Sequence, residues 1–102
     1  EILIGLVGSE MCIRDRLNVE RRLAACAPVE MPPRVYDALV SFTFNVGAGA
    51  ACRSTLVSFI KRKQWVQACG QLTRWVYVNG VKNAGLENRR VREKAWCMKG
   101  LS

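Results

Sequence analysis

Eight carboxylates are the residues of this chain suited to acid–base chemistry, and no histidine accompanies them. Hydrolysis of an acetal calls for two carboxyls, one of them kept protonated by an apolar setting. The eight divide poorly against that requirement. Glu1, Glu10 and Asp15 sit in an N-terminal stretch unlike the rest of the chain. Glu20 lies beside Arg21 and Arg22, whose charges favour its anion. Glu30 falls in a proline-rich loop, and Asp37 lies near the start of an apolar helix, where the dipole also favours an anion. Glu87 and Glu93 stand among arginines, and Glu93 is spaced for a structural ion pair with Arg89 or Arg90. No catalytic residue is therefore assigned. The lack of histidine also removes Ser-His and Cys-His nucleophile systems and histidine metal sites.

The five cysteines are Cys12, Cys26, Cys52, Cys69 and Cys97. None pairs at C-x-x-C spacing, so neither a zinc site nor thioredoxin-like redox chemistry is indicated. With Cys12 set aside as foreign, four remain and two disulfides can form. Cys69 falls on an apolar helical stripe and reads as a core thiol. No metal and no cofactor is expected.

The elements that would position these groups are helical. Residues 1–16 differ from the remainder of the chain: an apolar run with two glycines, then a string from Glu10 to Arg16 that resembles a translated sequencing adapter. They are read as a non-native leader and kept apart from the fold. From Leu17 a helix carries Leu17, Arg21 and Ala24 on one side and ends before Pro28. Pro32 and Pro33 open a second helix, in which Val35, Leu39, Phe42 and Val46 recur at helical spacing. Ala38, Val40 and Phe44 widen that face until the helix is apolar nearly all round, the mark of a buried one. Gly47-Ala-Gly49 ends it. Ser54 or Thr55 caps a third helix that points Leu56, Phe59 and Ile60 inward. A fourth places Trp65, Ala68, Cys69, Leu72 and Val76 on one stripe. Residues 77–85, with Asn79-Gly80, read as an ordered loop. A last helix from near Leu86 turns Val91, Ala95 and Met98 inward, with Trp96 beside them, and stops at Gly100. The chain reads as an all-α fold of about five helices.

The net charge of +8, from 16 Lys and Arg against 8 Asp and Glu, favours anionic partners: nucleic acid, anionic lipid or an acidic wall polymer. No run approaches the roughly 18 apolar residues that span a bilayer. No helix-turn-helix or stacking-aromatic pattern supports nucleic-acid binding.

Four blocks in order resemble the phage-type lysozymes, the family-24 glycoside hydrolases, over about residues 17–100. They are the run from Asp37 to Gly49, Ser54-Thr-Leu56, Gln71-Leu-Thr-Arg-Trp75, and Gly85-Leu-Glu-Asn-Arg-Arg-Val-Arg-Glu93. The resemblance implies a lysozyme-like helical lobe and an endolysin that hydrolyses peptidoglycan as a monomer. It further implies storage in the bacterial cytoplasm before lysis and action on the wall in the periplasm or outside. The family's catalytic glutamate, with its aspartate and threonine, lies in a segment before these blocks. None of those residues maps onto this chain, so the small catalytic lobe is expected to be missing and the isolated chain inactive. Carried over as substrate-binding positions are Phe44, Asn45 and Arg74, with Val46 and Trp75 beside them. Asn45 would offer its amide to a sugar hydroxyl or N-acetyl group, or help cap its helix. Arg74 would meet the anionic peptide stem or a backbone carbonyl, and Trp75 would join the core. Arg89, Arg90 and Glu93 fall in a motif that clamps the last helix. The lost lobe would leave apolar surface near Leu17, Tyr36 and Phe44. The alternatives are a non-catalytic cationic wall-binding protein and a helical nucleic-acid-binding domain.

Overall fold

The computed structural model describes residues 13–99 and Leu101. The leader assigned to residues 1–16 lies outside the described residues as far as Cys12. Its last four residues open the first helix, α1 (Ile13–Cys26). α1 is mostly polar and buries Leu23, with Val19 and Cys26 half-buried against the core. It stops where Pro28 disfavours helical backbone at the residue before it.

α2 (Pro33–Val46) begins on Pro32 and Pro33, as the tolerance of proline in a first turn predicts. It buries Val35 and every residue from Ala38 to Thr43. A helix covered on all sides is the centre of a small fold, and the other elements wrap it. Gly47 ends it at φ +96°, donating its N–H to the Thr43 carbonyl. A side chain is strained at that backbone angle, so glycine is required there for conformation rather than for space.

A short α3 (Ala48–Cys52) follows directly, where the two glycines suggest only a stop. α4 (Thr55–Lys61) is capped by Ser54, whose Oγ accepts from the Val57 N–H at 3.1 Å. It buries Leu56, Val57 and Ile60. α5 (Trp65–Gln71) packs against α4 and passes into a 3₁₀ turn over Leu72–Arg74. The stripe expected to run helically as far as Val76 therefore ends early, although Val76 is buried. The change of geometry leaves the Trp75 carbonyl outside any helix, where another group takes it.

The loop expected over residues 77–85 is instead a hairpin. β1 (Tyr77–Val78) pairs antiparallel with β2 (Val81–Lys82), with Tyr77 opposite Lys82. Asn79 at φ 52° and Gly80 at φ 80° form the turn, and two positive φ values in succession match the twist of a two-residue hairpin. Asn83 then caps α6 (Ala84–Lys99), its Oδ1 accepting from the Leu86 N–H at 2.9 Å. A Cβ on Gly85 would lie 3.2 Å from that oxygen, which explains glycine at this step of the motif.

The inner face of α6 differs from the apolar stripe expected from the sequence. Val91 is 54 % exposed, Ala95 is exposed, and Met98 and Trp96 are half-buried. The buried residues are Arg90, Glu93 and Cys97. The helix is rotated by about one residue, or roughly 100°, because its partner α2 offers polar groups that satisfy an ion pair.

Cys69 is likewise no free core thiol. It is bonded to Cys97, and Cys26 is bonded to Cys52. The first bridge ties α5 to α6 and the second ties α1 to α3, closing separations of 28 and 26 residues. The all-α class holds, with the hairpin as its only strands among the described residues. No helix there is long and apolar enough to cross a membrane. Leu17 is exposed as expected, whereas Tyr36 and Phe44 are half-buried against the core.

Loops of this length give each bridge about 3 kcal/mol through the unfolded state. Thermal denaturation with and without a strong reductant should therefore differ by well over ten degrees for a domain of this size. Equal midpoints would show that the helices hold without the bridges.

Candidate functional site

The C-terminal end of α2, the end of the 3₁₀ turn, β1 and the start of α6 meet at one edge of the molecule. Asn45, Val46, Arg74, Trp75, Tyr77 and Leu86 line a cavity of about 450 Å³ there. Arg74 and Tyr77 also border a neighbouring cavity of about 460 Å³ with Thr73, Val76, Lys82, Glu87 and Val91. The two adjoin through Arg74 and Tyr77, which line both, and are called the groove below. Two of the three expected binding positions, Asn45 and Arg74, come together in it. Phe44 is not among its lining residues and is half-buried against the core. Val46, Tyr77 and Leu86 belong to it and were not among the three.

Arg74 is exposed and has no hydrogen bond or ion pair among the described residues. It therefore points a free cation at the groove rather than meeting a backbone carbonyl. Trp75 is half-buried, its ring edge-on to Phe42 at 5.1 Å between centroids. Tyr77 is 60 % exposed.

The floor of the groove is held from behind by Arg90. Its guanidinium donates from Nε to the Trp75 carbonyl at 3.1 Å, from Nη1 to Glu93 Oε1 and from Nη2 to Asn45 Oδ1. It also lies over the Phe42 ring at 5.2 Å. Glu93 Oε2 accepts from the Ser41 hydroxyl at 2.6 Å and lies 3.7 Å from Arg89 Nε. Arg90 and Glu93 are both 0 % exposed. Burial pushes the Glu93 carboxyl above the usual range, against the pull of Arg90, Ser41 and Arg89. Burial likewise lowers Arg90, against the attraction of Glu93.

A raised carboxyl is the usual sign of a general acid, so Glu93 merits the test. It fails on access: no solvent reaches it, and both its oxygens are occupied. The other described carboxylates fare no better. Glu20 and Asp37 both contact Arg16, at 2.9 and 3.4 Å. Glu87 pairs with Lys82 at 3.2 Å on the surface. Asp15 and Glu30 are exposed. No group of three potential metal ligands occurs among the described residues. The groove brings together an amide, an exposed guanidinium and two aromatic side chains, a set chemically able to hold a polar chain.

Ser41, like Tyr77 and Leu86, was missed by sequence reading. A serine in the middle of a fully buried helix requires a partner, and that requirement was its available signal.

Comparison with known proteins agrees with this geometry. The family model described as "Phage lysozyme" matches residues 7–93. A SAR-endolysin of bacteriophage PS119 is 38% identical over 87 residues, covering 85% of this chain and 52% of that protein. A SAR-endolysin of Enterobacteria phage P21 is 37% identical over 87 residues, covering 85% of this chain and 53% of that one. The crystal structure of the secreted inactive form of the P1 phage endolysin superposes with a TM-score of 0.76 at 27% identity, covering 87% of this chain and 65% of that chain. The chain spans about half the length of the curated relatives it matches.

Glu93→Ala would leave Arg90 buried without its counterion, a change that costs about 3–5 kcal/mol. Denaturant melts should show most of the domain's stability gone, and Glu93→Gln, which can still bond Ser41 and Arg90, should lose less. A Glu93→Ala protein as stable as the parent would mean that the pair does not hold the fold.

Proposed function

The chain belongs to the phage lysozyme family, and we propose that it is the glycan-binding helical lobe of an endolysin, an N-acetylmuramidase of bacterial peptidoglycan. The observation that carries the proposal is the groove, which joins Asn45, Arg74, Trp75 and Tyr77 at one edge. Its rings offer apolar faces to pyranose C–H surfaces, and Asn45 offers a hydrogen bond to a sugar substituent. The exposed cation of Arg74 suits the anionic peptide stems and polymers of the wall, as does the net charge of +8.

Cleavage of the glycosidic bond needs a protonated carboxyl at the bond. No carboxylate among the described residues is placed to supply it. In this proposal the lobe binds and orients the strand, and the reactive carboxyl belongs to another part of the whole protein. The two disulfides favour work outside the reducing cytoplasm. The P1 phage endolysin, which has a secreted form, supports the same reading. We place the site of action at the wall in the periplasm or beyond.

Sedimentation with purified peptidoglycan should retain the chain without release of reducing ends. Supplying the glutamate-bearing segment of a related endolysin should bring turbidity clearing. Retention failing, or clearing by the chain unaided, would overturn the assignment of roles. Strong DNA binding with a steep salt slope in place of wall retention would point to the nucleic-acid alternative. Arg74→Glu should weaken wall retention by roughly tenfold at low salt and much less at high salt, because screening removes exposed charge effects. Identical retention of the variant would exclude Arg74 from the contact.

A further inference from the structure

Trp96 draws cations from two helices at the end of α2 remote from the groove. The Arg34 guanidinium lies 4.5 Å from its ring centroid and the Lys99 ammonium 5.5 Å. Arg34 stands in the first turn of α2 and Asn45 in its last, so roughly 16 Å of helix separates the two places. On α6, Arg89, Arg92, Trp96 and Lys99 recur at i, i+3, i+7 and i+10, which is one helical face. Arg89 already meets Glu93, whereas Arg92 and Lys99 are exposed. The two acids of α6 are engaged elsewhere: Glu93 is sealed in the core and Glu87 pairs with Lys82. Cation–π attraction holds Arg34 and Lys99 at the ring against two opposing effects. A cation in the first turn of a helix opposes the dipole, and like charges at one ring repel. An anionic surface laid against this face would relieve both.

We infer that this face is a docking surface for an anionic lipid bilayer, with Trp96 as its interfacial anchor. Tryptophan favours the headgroup level of a bilayer, and basic side chains beside it meet lipid phosphates. The stems of Arg34, Arg92 and Lys99 add apolar area beneath their charges. Trp96 Nε1 has no acceptor among the described residues, a donor that a headgroup oxygen takes once the ring tilts outward. A nucleic acid calls for a track of phosphate contacts, whereas these cations crowd one indole. The contact is peripheral, since no described helix is long and apolar enough to cross a membrane. Docking by this face leaves the groove at the far end of α2 uncovered.

The test uses the full chain and vesicles of phosphatidylcholine, with and without phosphatidylglycerol. The parent should sediment with the anionic vesicles and stay in solution with the neutral ones. Arg34→Gln, Arg92→Gln and Lys99→Gln together should weaken that partition roughly a hundredfold, about fivefold for each cation held at the bilayer. Lys61→Gln, Arg62→Gln and Lys63→Gln together remove the same charge at the end of α4, and should weaken it severalfold at most. Lipids brominated on their acyl chains should quench the parent's tryptophan emission, and Trp96→Phe should lose most of that quenching. Should Trp96→Phe not fold, the two triple variants decide alone. Equal weakening by both triples overturns the surface, because net charge would then account for the binding. Unchanged quenching in Trp96→Phe, or no binding to the anionic vesicles, overturns it as well. Duplex DNA bound by the parent and lost in the first triple, with no vesicle binding, would overturn the lipid assignment in favour of nucleic acid.

Discussion

A charge sealed inside a small protein must be met by an opposite charge and by hydrogen bonds to its donors, and Arg90 is met in this way. Its three donor positions reach three separate elements: α2 through Asn45, α6 through Glu93, and the chain after the 3₁₀ turn through the Trp75 carbonyl. Glu93 returns to α2 through Ser41. The interface between α2 and α6 is thus specified by directional bonds as well as by apolar contact. Buried ion pairs add little net stability over well-packed apolar residues. What this one contributes is register, since a slip of either helix would leave two charges unpaired in the core.

The same constraint explains the geometry around the groove. An α-helix continued through Trp75 would place its carbonyl in a helical bond and deny it to Arg90. The chain instead tightens into a 3₁₀ turn, ends, and enters the hairpin. Asn45 and Trp75 are therefore held by one guanidinium though about thirty residues lie between them in the chain. Disulfides act on the outer helices in the same sense, tying α1 to α3 and α5 to α6. A chain this short buries a modest core, and cross-links are a common supplement at that size.

Much of the scaffold is legible in the sequence because it follows apolar periodicity. α2 is apolar on nearly every face and buried on nearly every face. The Ser54 cap and the proline boundaries follow from local backbone chemistry. α6 departs from its pattern for a physical reason: periodicity assumes that the inward face is apolar, and here it carries Arg90 and Glu93 while Val91 faces water. Cys69 deceives because a half-cystine packs like any small apolar residue, and only the approach of Cys97 reveals the bond. The hairpin signal at Asn79-Gly80 is present, but strands of two residues are too short to show alternation. Asn45 and Arg74 are reached through family resemblance. Tyr77 and Leu86 come to the groove by tertiary folding, which no local pattern encodes.

The proposed division between binding and cleavage rests on the same electrostatics. A general acid needs a carboxyl that is desolvated yet reachable. In this lobe the two properties are separated. Glu93 is desolvated and sealed, whereas Asp15, Glu30 and Glu87 are reachable and solvated. Glu20 and Asp37 lie between those limits and share Arg16. Moving Glu93 to the surface would unpair Arg90 and release both Asn45 and the Trp75 carbonyl, so the lobe cannot gain an acid there without losing its groove. Among the described residues, then, no carboxyl is both desolvated and reachable.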